Sequence, residues 1–129
     1  MRLSKETYQR LLNKSISVKQ NKYHNVKCQL DGIKFDSKKE MYRWIQLKQL
    51  EDIGQIKNLK RQVRYELQPS FELNGSKIRA ITYIADFEYE KDNQIIVEDT
   101  KSEATKKDKT YMLKKKMFMY RYKKEIKEV

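Results

Sequence analysis

Ile95-Ile96-Val97 opens with three β-branched residues and runs directly into Glu98-Asp99-Thr100-Lys101. β-Branched side chains suit the packed face of a sheet, so this stretch is expected to be a strand that buries its start. Its charged end must either leave the core or build a site. Side chains alternate along a strand, so Val97, Asp99 and Lys101 share one face and Glu98 points to the other. A carboxylate and an ammonium side by side suit a hard divalent cation with a lysine next to it, and hence phosphodiester chemistry. A plain surface ion pair is the commoner reason for such a pair, and Asp-x-Lys alone is too short to be specific.

Turn chemistry orders the rest of the chain. Asp31-Gly32 between Leu30 and Ile33 predicts a hairpin over residues 26–35, and Asn74-Gly75 joins a strand at 71–73 to one starting at Ile78. Ser37 is a good N-cap with Glu40 at the capping-box spacing, and Gly54 sits where a helix ends. The helix between them carries Met41, Trp44, Ile45, Leu47, Leu50 and Ile53. Short strands are expected at 56–59 and 63–67. The run from Ile78 continues through Ala85-Asp86-Phe87 to Tyr89 as a long or bent strand, turning at Asp92-Asn93 into the Ile95 strand. Asp86 and Asp99 therefore stand on neighbouring antiparallel strands. Residues 102–108 read as a loop. Residues 110–122 read as a helix with Leu113, Met117 and Tyr120 on its stripe and Tyr111 and Phe118 nearby, before a last strand in 124–129. Upstream, Ser4 caps a short helix over 5–14 bearing Tyr8, Leu11 and Leu12, and 15–25 is a polar linker or arm. This order predicts an α/β fold with a mixed β-sheet flanked by helices.

The net charge of +12 points to a polyanionic partner, nucleic acid ahead of an anionic membrane surface. No apolar run approaches the ~18 residues of a membrane-spanning helix, and the first 14 residues lack the pattern of a secretory leader. One cysteine, Cys28, forms no internal disulfide and fits a reducing cytoplasm. One Cys and one His exclude a zinc finger, and a Ser-His-Asp triad would need His24, which lies in a polar stretch.

Three acidic residues remain. Asp86 interrupts a strand of Ile, Ala, Phe and Tyr, where an aspartate is costly unless paired with a lysine or used in a site. Glu40 is accounted for by the capping box alone. Taken together, Glu40, Asp86 and Asp99-Thr100-Lys101 resemble the active site of the PD-(D/E)XK nuclease superfamily. There a helix supplies one acid, a second strand an Asp, and a third strand Asp or Glu with Lys. The helix-borne glutamate resembles that of archaeal Holliday junction resolvases and transposon-end nucleases. The phrases Leu30-Asp31-Gly32-Ile33-Lys34-Phe35-Asp36-Ser37-Lys38-Lys39-Glu40, Arg79-Ala80-Ile81-Thr82-Tyr83-Ile84-Ala85-Asp86-Phe87 and Val97-Glu98-Asp99-Thr100-Lys101 resemble those of small phage and prophage endonucleases. The resemblance covers about residues 22–129 and divides the chain into an N-terminal helix and arm (1–24) and a nuclease-like domain (25–129). Ala85 stands where the superfamily name has Pro. Asp99 replaces the commoner Glu, and a bulge would turn Glu98 to the metal in its place.

The resemblance implies a restriction-endonuclease-like core that cuts branched DNA with Mg²⁺, or Mn²⁺ as substitute. Asp86, Asp99 and the Thr100 carbonyl would hold the ion, with Glu40 on a second ion or on a water of the first. Lys101, among carboxylates, is read as an electrostatic stabiliser rather than a base. Lys38, Lys39, Lys106, Lys107, Lys109, Lys114 and Lys115, with Lys116, are the expected grip on phosphates, and Gln62 and Gln68 candidates to assist the site. Two strands to cut imply a homodimer, and the source implied is phage or prophage, acting in the bacterial host cytoplasm. The competing class is a non-catalytic nucleic-acid-binding protein that keeps the fold as a scaffold.

Overall fold

The computed structural model describes the backbone of residues 17–20 and 26–129, and side chains from residue 29 onward. The helix expected over 5–14 lies outside the described residues. The chain forms two compact units, residues 1–59 and 60–129.

In the first unit, β1 (Ser17–Gln20), β2 (Val26–Leu30) and β3 (Ile33–Phe35) form an antiparallel sheet in that order, followed by α1 (Lys38–Asp52). Asp31 and Gly32 take φ of 51° and 80°, the left-handed pair that a tight hairpin turn requires. β1 places a strand at Ser17–Gln20 within the stretch expected to be a polar linker or arm. Ser17 pairs with Gln29 and Gln20 with Val26, so a polar stretch becomes a strand through a ladder that hydrophobic period does not reveal. Ser37 Oγ accepts the Glu40 N–H at 3.1 Å, and Gly54 at φ 80° closes the helix. Leu30, Phe35, Met41 and Ile45 are the core of this unit, with Ile33 and Trp44 packed against them.

In the second unit β4 (Lys57–Gln68), which begins just before the division, leads to a hairpin, β5 (Phe71–Leu73) and β6 (Ser76–Ile78). Then follow β7 (Ile81–Lys91), β8 (Gln94–Asp99), α2 (Glu103–Lys106), α3 (Lys109–Tyr122) and β9 (Ile126–Glu128). The main sheet has the order β4-β7-β8-β9 and is mixed: β7 and β8 are antiparallel, β8 and β9 parallel. This is an α/β arrangement. The two short strands expected at 56–59 and 63–67 are one strand, β4, with left-handed residues at Asn58 (φ 54°) and Gln62 (φ 50°). The run from Ile78 instead breaks at Arg79-Ala80. The loop at 102–108 contains α2, where Ser102 and Thr105 complete a capping box.

α3 is rotated from its expected setting. Tyr111 and Phe118 are buried with Leu67, Tyr83, Ala85, Val97 and Ile126, whereas Leu113 and Tyr120 are exposed at 60% and 78%. Apolar residues occur all round this helix, so period alone did not choose the buried side. The rings pack together on the buried side: Phe118 lies edge-on to Tyr65 at 5.0 Å and to Tyr83 at 5.7 Å between centroids. Among the described residues no helix is long and apolar enough to cross a membrane.

Candidate active site

β7 and β8 pair with Phe87 opposite Glu98 and Glu88 opposite Val97, so the next step of the ladder brings Asp86 toward Asp99. Their carboxyls stand within hydrogen-bonding reach of each other. Each is held from its own side. The Thr100 N–H and hydroxyl both donate to Asp86 Oδ2, at 2.9 and 2.7 Å, and Gln62 Nε2 approaches Oδ1 at 3.4 Å. The Tyr83 hydroxyl donates to Asp99 Oδ2 at 2.7 Å, and Lys101 Nζ stands 3.2 Å from the same oxygen. Tyr83 and Asp86 both reach Asp99 although they are three residues apart, where strict alternation would send them to opposite faces. The alternation of β7 therefore shifts phase between them.

Asp99 is 2% exposed, and burial is the first reason that its carboxyl is pushed up to about 7; the Asp86 carboxyl beside it adds to the shift, and the Tyr83 hydroxyl and Lys101 act against it. Burial, then the charge of Asp99, pushes the Tyr83 hydroxyl up, so that it remains a donor.

Lys101 is fixed by its surroundings. Its Nζ lies 4.3 Å from the centroid of the Tyr111 ring, and its N–H donates to Val129 O at 2.9 Å while Val129 N–H donates to Asp99 O at 3.0 Å. β9 thus straps the site strand from Val97 to Lys101. On the same strap, Glu128 accepts from the Tyr111 hydroxyl at 2.7 Å and from Lys115 at 3.0 Å. Glu98 belongs to the other side of β8: fully buried, it accepts the Tyr89 hydroxyl at 2.6 Å. The alternative in which Glu98 replaces Asp99 is not the arrangement here.

The chain belongs to the DUF1064 family. The family model that matches, described as a protein of unknown function, covers residues 20–128. No curated protein and no solved structure matches.

The structure brings Asp86, Asp99, Thr100 and Lys101 together. Glu40 is buried in the first turn of α1 in the first unit. Among the described residues no group of three or more His, Cys, Asp or Glu is placed to hold a metal ion. Gln62 reaches the site; Gln68 lines a separate groove with Pro69, Met117 and Tyr120. Of the expected phosphate-gripping lysines, Lys38, Lys39, Lys107 and Lys109 are exposed, Lys114 is half-buried, Lys106 pairs with Glu103 at 3.3 Å and Lys115 with Glu128. Sequence reasoning missed Tyr83, Tyr111 and Glu128. Strict alternation from Asp86 puts Tyr83 on the opposite face, and nothing local ties Glu128 to Tyr111 and Lys115.

Proposed function

We propose that the chain is a Mg²⁺-dependent DNA endonuclease with a restriction-endonuclease-like core. One observation carries the reading: two carboxyls from adjacent strands, Asp86 and Asp99, meet with the Lys101 ammonium beside them. Carboxyls pressed together in a buried place call for a proton or a cation between them. The donors are hard oxygens, and Mg²⁺ accepts one or two protein carboxylates while keeping several waters, so a pair is enough; Mn²⁺ is the expected substitute. Glu40 enters only through the resemblance. A bound ion would supply a polarised phosphate and a water of lowered pKa. The chain's own residues do the rest. Thr100 holds Asp86 by two donors, Tyr83 holds Asp99, and Lys101, seated over Tyr111, stabilises negative charge as it develops on the phosphate. The net charge of +12 supports DNA as the substrate, with branched DNA the lead. A phage or prophage product acting as a homodimer in the host cytoplasm belongs to the same reading.

The test is incubation with a four-way junction, a flap and a linear duplex, with and without Mg²⁺. Cleavage should require Mg²⁺ or Mn²⁺. Asp99→Ala and Lys101→Ala should stay folded and bind DNA yet cut at least about 100-fold more slowly. Folded wild type that binds all three substrates and cuts none refutes the proposal. A second reading rests on the same contacts: Thr100, Tyr83 and Lys101 supply partners to both carboxyls without an ion, as a structural cluster in a binding scaffold would. It forecasts no cleavage by the wild type.

A further inference from the structure

Between β4 and β7 the chain leaves the main sheet and makes the β5–β6 hairpin. Every residue from 69 to 80 is exposed. Phe71 lies opposite Ile78, Glu72 opposite Lys77 and Leu73 opposite Ser76. Alternation therefore gathers Phe71, Leu73 and Ile78 on one face, at 43%, 60% and 38% exposure, and puts Glu72 and Lys77 on the other. Arg79 follows at the root. A lone two-stranded hairpin is marginal in water, and its apolar side is a standing invitation to a partner.

Topology says where this arm stands. β7 and β8 run antiparallel, so the start of β7 lies beyond the end of β8, the end that carries Asp99 and Lys101. The hairpin root is thus at the catalytic end of the sheet. At ~3.3 Å per strand residue, Ile81 is roughly 16 Å along β7 from Asp86, and Ile78 up to roughly 26 Å. On DNA that is about five to eight base-pair steps.

We propose that the β5–β6 hairpin is a DNA-inserting arm whose Phe71–Leu73–Ile78 face takes bases unstacked at a branch point or kink. The proposal rests on the nuclease reading for its ligand, and deepens it by naming distorted DNA as the substrate. Apolar side chains inserted between base steps are an established way of holding kinked DNA, and β-ribbons enter grooves. Arg79 at the root of the hairpin supplies complementary charge to the phosphates flanking the opened step, in a chain of net charge +12. A second copy is a poor occupant: three part-exposed side chains offer on the order of 300 Å², against the ~800 Å² per partner of a stable interface.

The variant Phe71→Thr/Leu73→Thr/Ile78→Thr keeps strand-forming residues and leaves the Asn74-Gly75 turn intact. Binding is measured in EDTA, so that no cleavage is needed, to a four-way junction carrying 2-aminopurine at its centre and to linear duplex of the same sequence. The expected result is an unchanged melting temperature, a junction affinity at least about 10-fold weaker, an unchanged duplex affinity and loss of the fluorescence rise on binding. Junction and duplex affinities that both hold, or that fall in parallel, overturn the arm. So does a wild-type dimer that the variant dissolves, because the face is then an interface between copies. Wild type that shows the hairpin effect but never cuts loses the nuclease reading alone. Wild type that cuts, with a variant of unchanged junction affinity, loses the arm alone. In a cutting wild type the nicks should lie about five to eight nucleotides from the branch.

Discussion

Replacing Asp99 by Asn removes a carboxyl ionisation that the fold resists. Burial first, and then the Asp86 carboxyl beside it, push the Asp99 carboxyl up to about 7 from the usual aspartate value of 3.8. Between those two values the native chain holds a proton that the unfolded chain has released. Stability from this group is therefore fully present below the unfolded value and is lost as pH rises through 7. Glu51 and Glu128 do not blur the window. Burial works against both, but the Leu59 N–H and Lys48 hold Glu51 below 4.5, and Tyr111 and Lys115 do the same for Glu128. Their contributions change only at lower pH. From pH 5.5 to 8 the loss is about 1.4 kcal/mol per unit over roughly 1.5 units, or about 2 kcal/mol. At roughly 4 °C per kcal/mol, the wild type should melt about 8 °C lower at pH 8 than at pH 5.5. Asp99→Asn is isosteric, keeps an acceptor for Tyr83 and carries no charge, so its stability should be nearly flat over that range. It should exceed the wild type at pH 8, while under the proposed function it should no longer cut DNA. Urea and thermal melts of both proteins in EDTA, in half-unit pH steps, measure the difference. Parallel curves would refute the reasoning, because Asp99 would then not be the group that couples folding to protons here.

Tyr83→Phe deletes the 2.7 Å donor that works against the rise, so the Asp99 titration, followed by carboxyl NMR, should move above 7 and stability at pH 8 fall by about 1–3 kcal/mol. Gln62→Gly relieves a left-handed backbone at φ 50° while removing the amide from Asp86, so stability should stay within about 1 kcal/mol while Mn²⁺ affinity, read by calorimetry, weakens; unchanged Mn²⁺ affinity would leave Gln62 no part in the site. Lys107→Glu/Lys109→Glu, both exposed, should weaken binding to all DNA substrates alike and flatten the log–log salt dependence by up to about 1.8. An unchanged slope would put the DNA on another face.

Much of this architecture is written in neighbouring residues. Asp31-Gly32 and Asn74-Gly75 turn the chain where left-handed backbone is cheap, with φ of 51°, 80°, 51° and 79°. Ser37 and Gly54 bound α1. Alternation along β8 puts Asp99 and Glu98 on opposite sides, where they meet the separate hydroxyls of Tyr83 and Tyr89, and Lys101, two residues past Asp99, returns to the Asp99 side. Such rules act over two to four residues, which is the range that turn and strand geometry spans. Tertiary packing decided the rest. β1 exists because Ser17 meets Gln29, twelve residues on. Tyr83 joins Asp99 because β7 shifts phase between Tyr83 and Asp86. α3 turns Tyr111 and Phe118 inward, where Phe118 meets Tyr65 and Tyr83 from distant strands, and that setting puts the Tyr111 ring beneath Lys101. A pattern of residue types carries the spacing of side chains along one element. Which face meets a partner, and whether a buried carboxyl finds a hydroxyl, an ammonium or another carboxyl there, depends on segments far apart in the chain meeting in space.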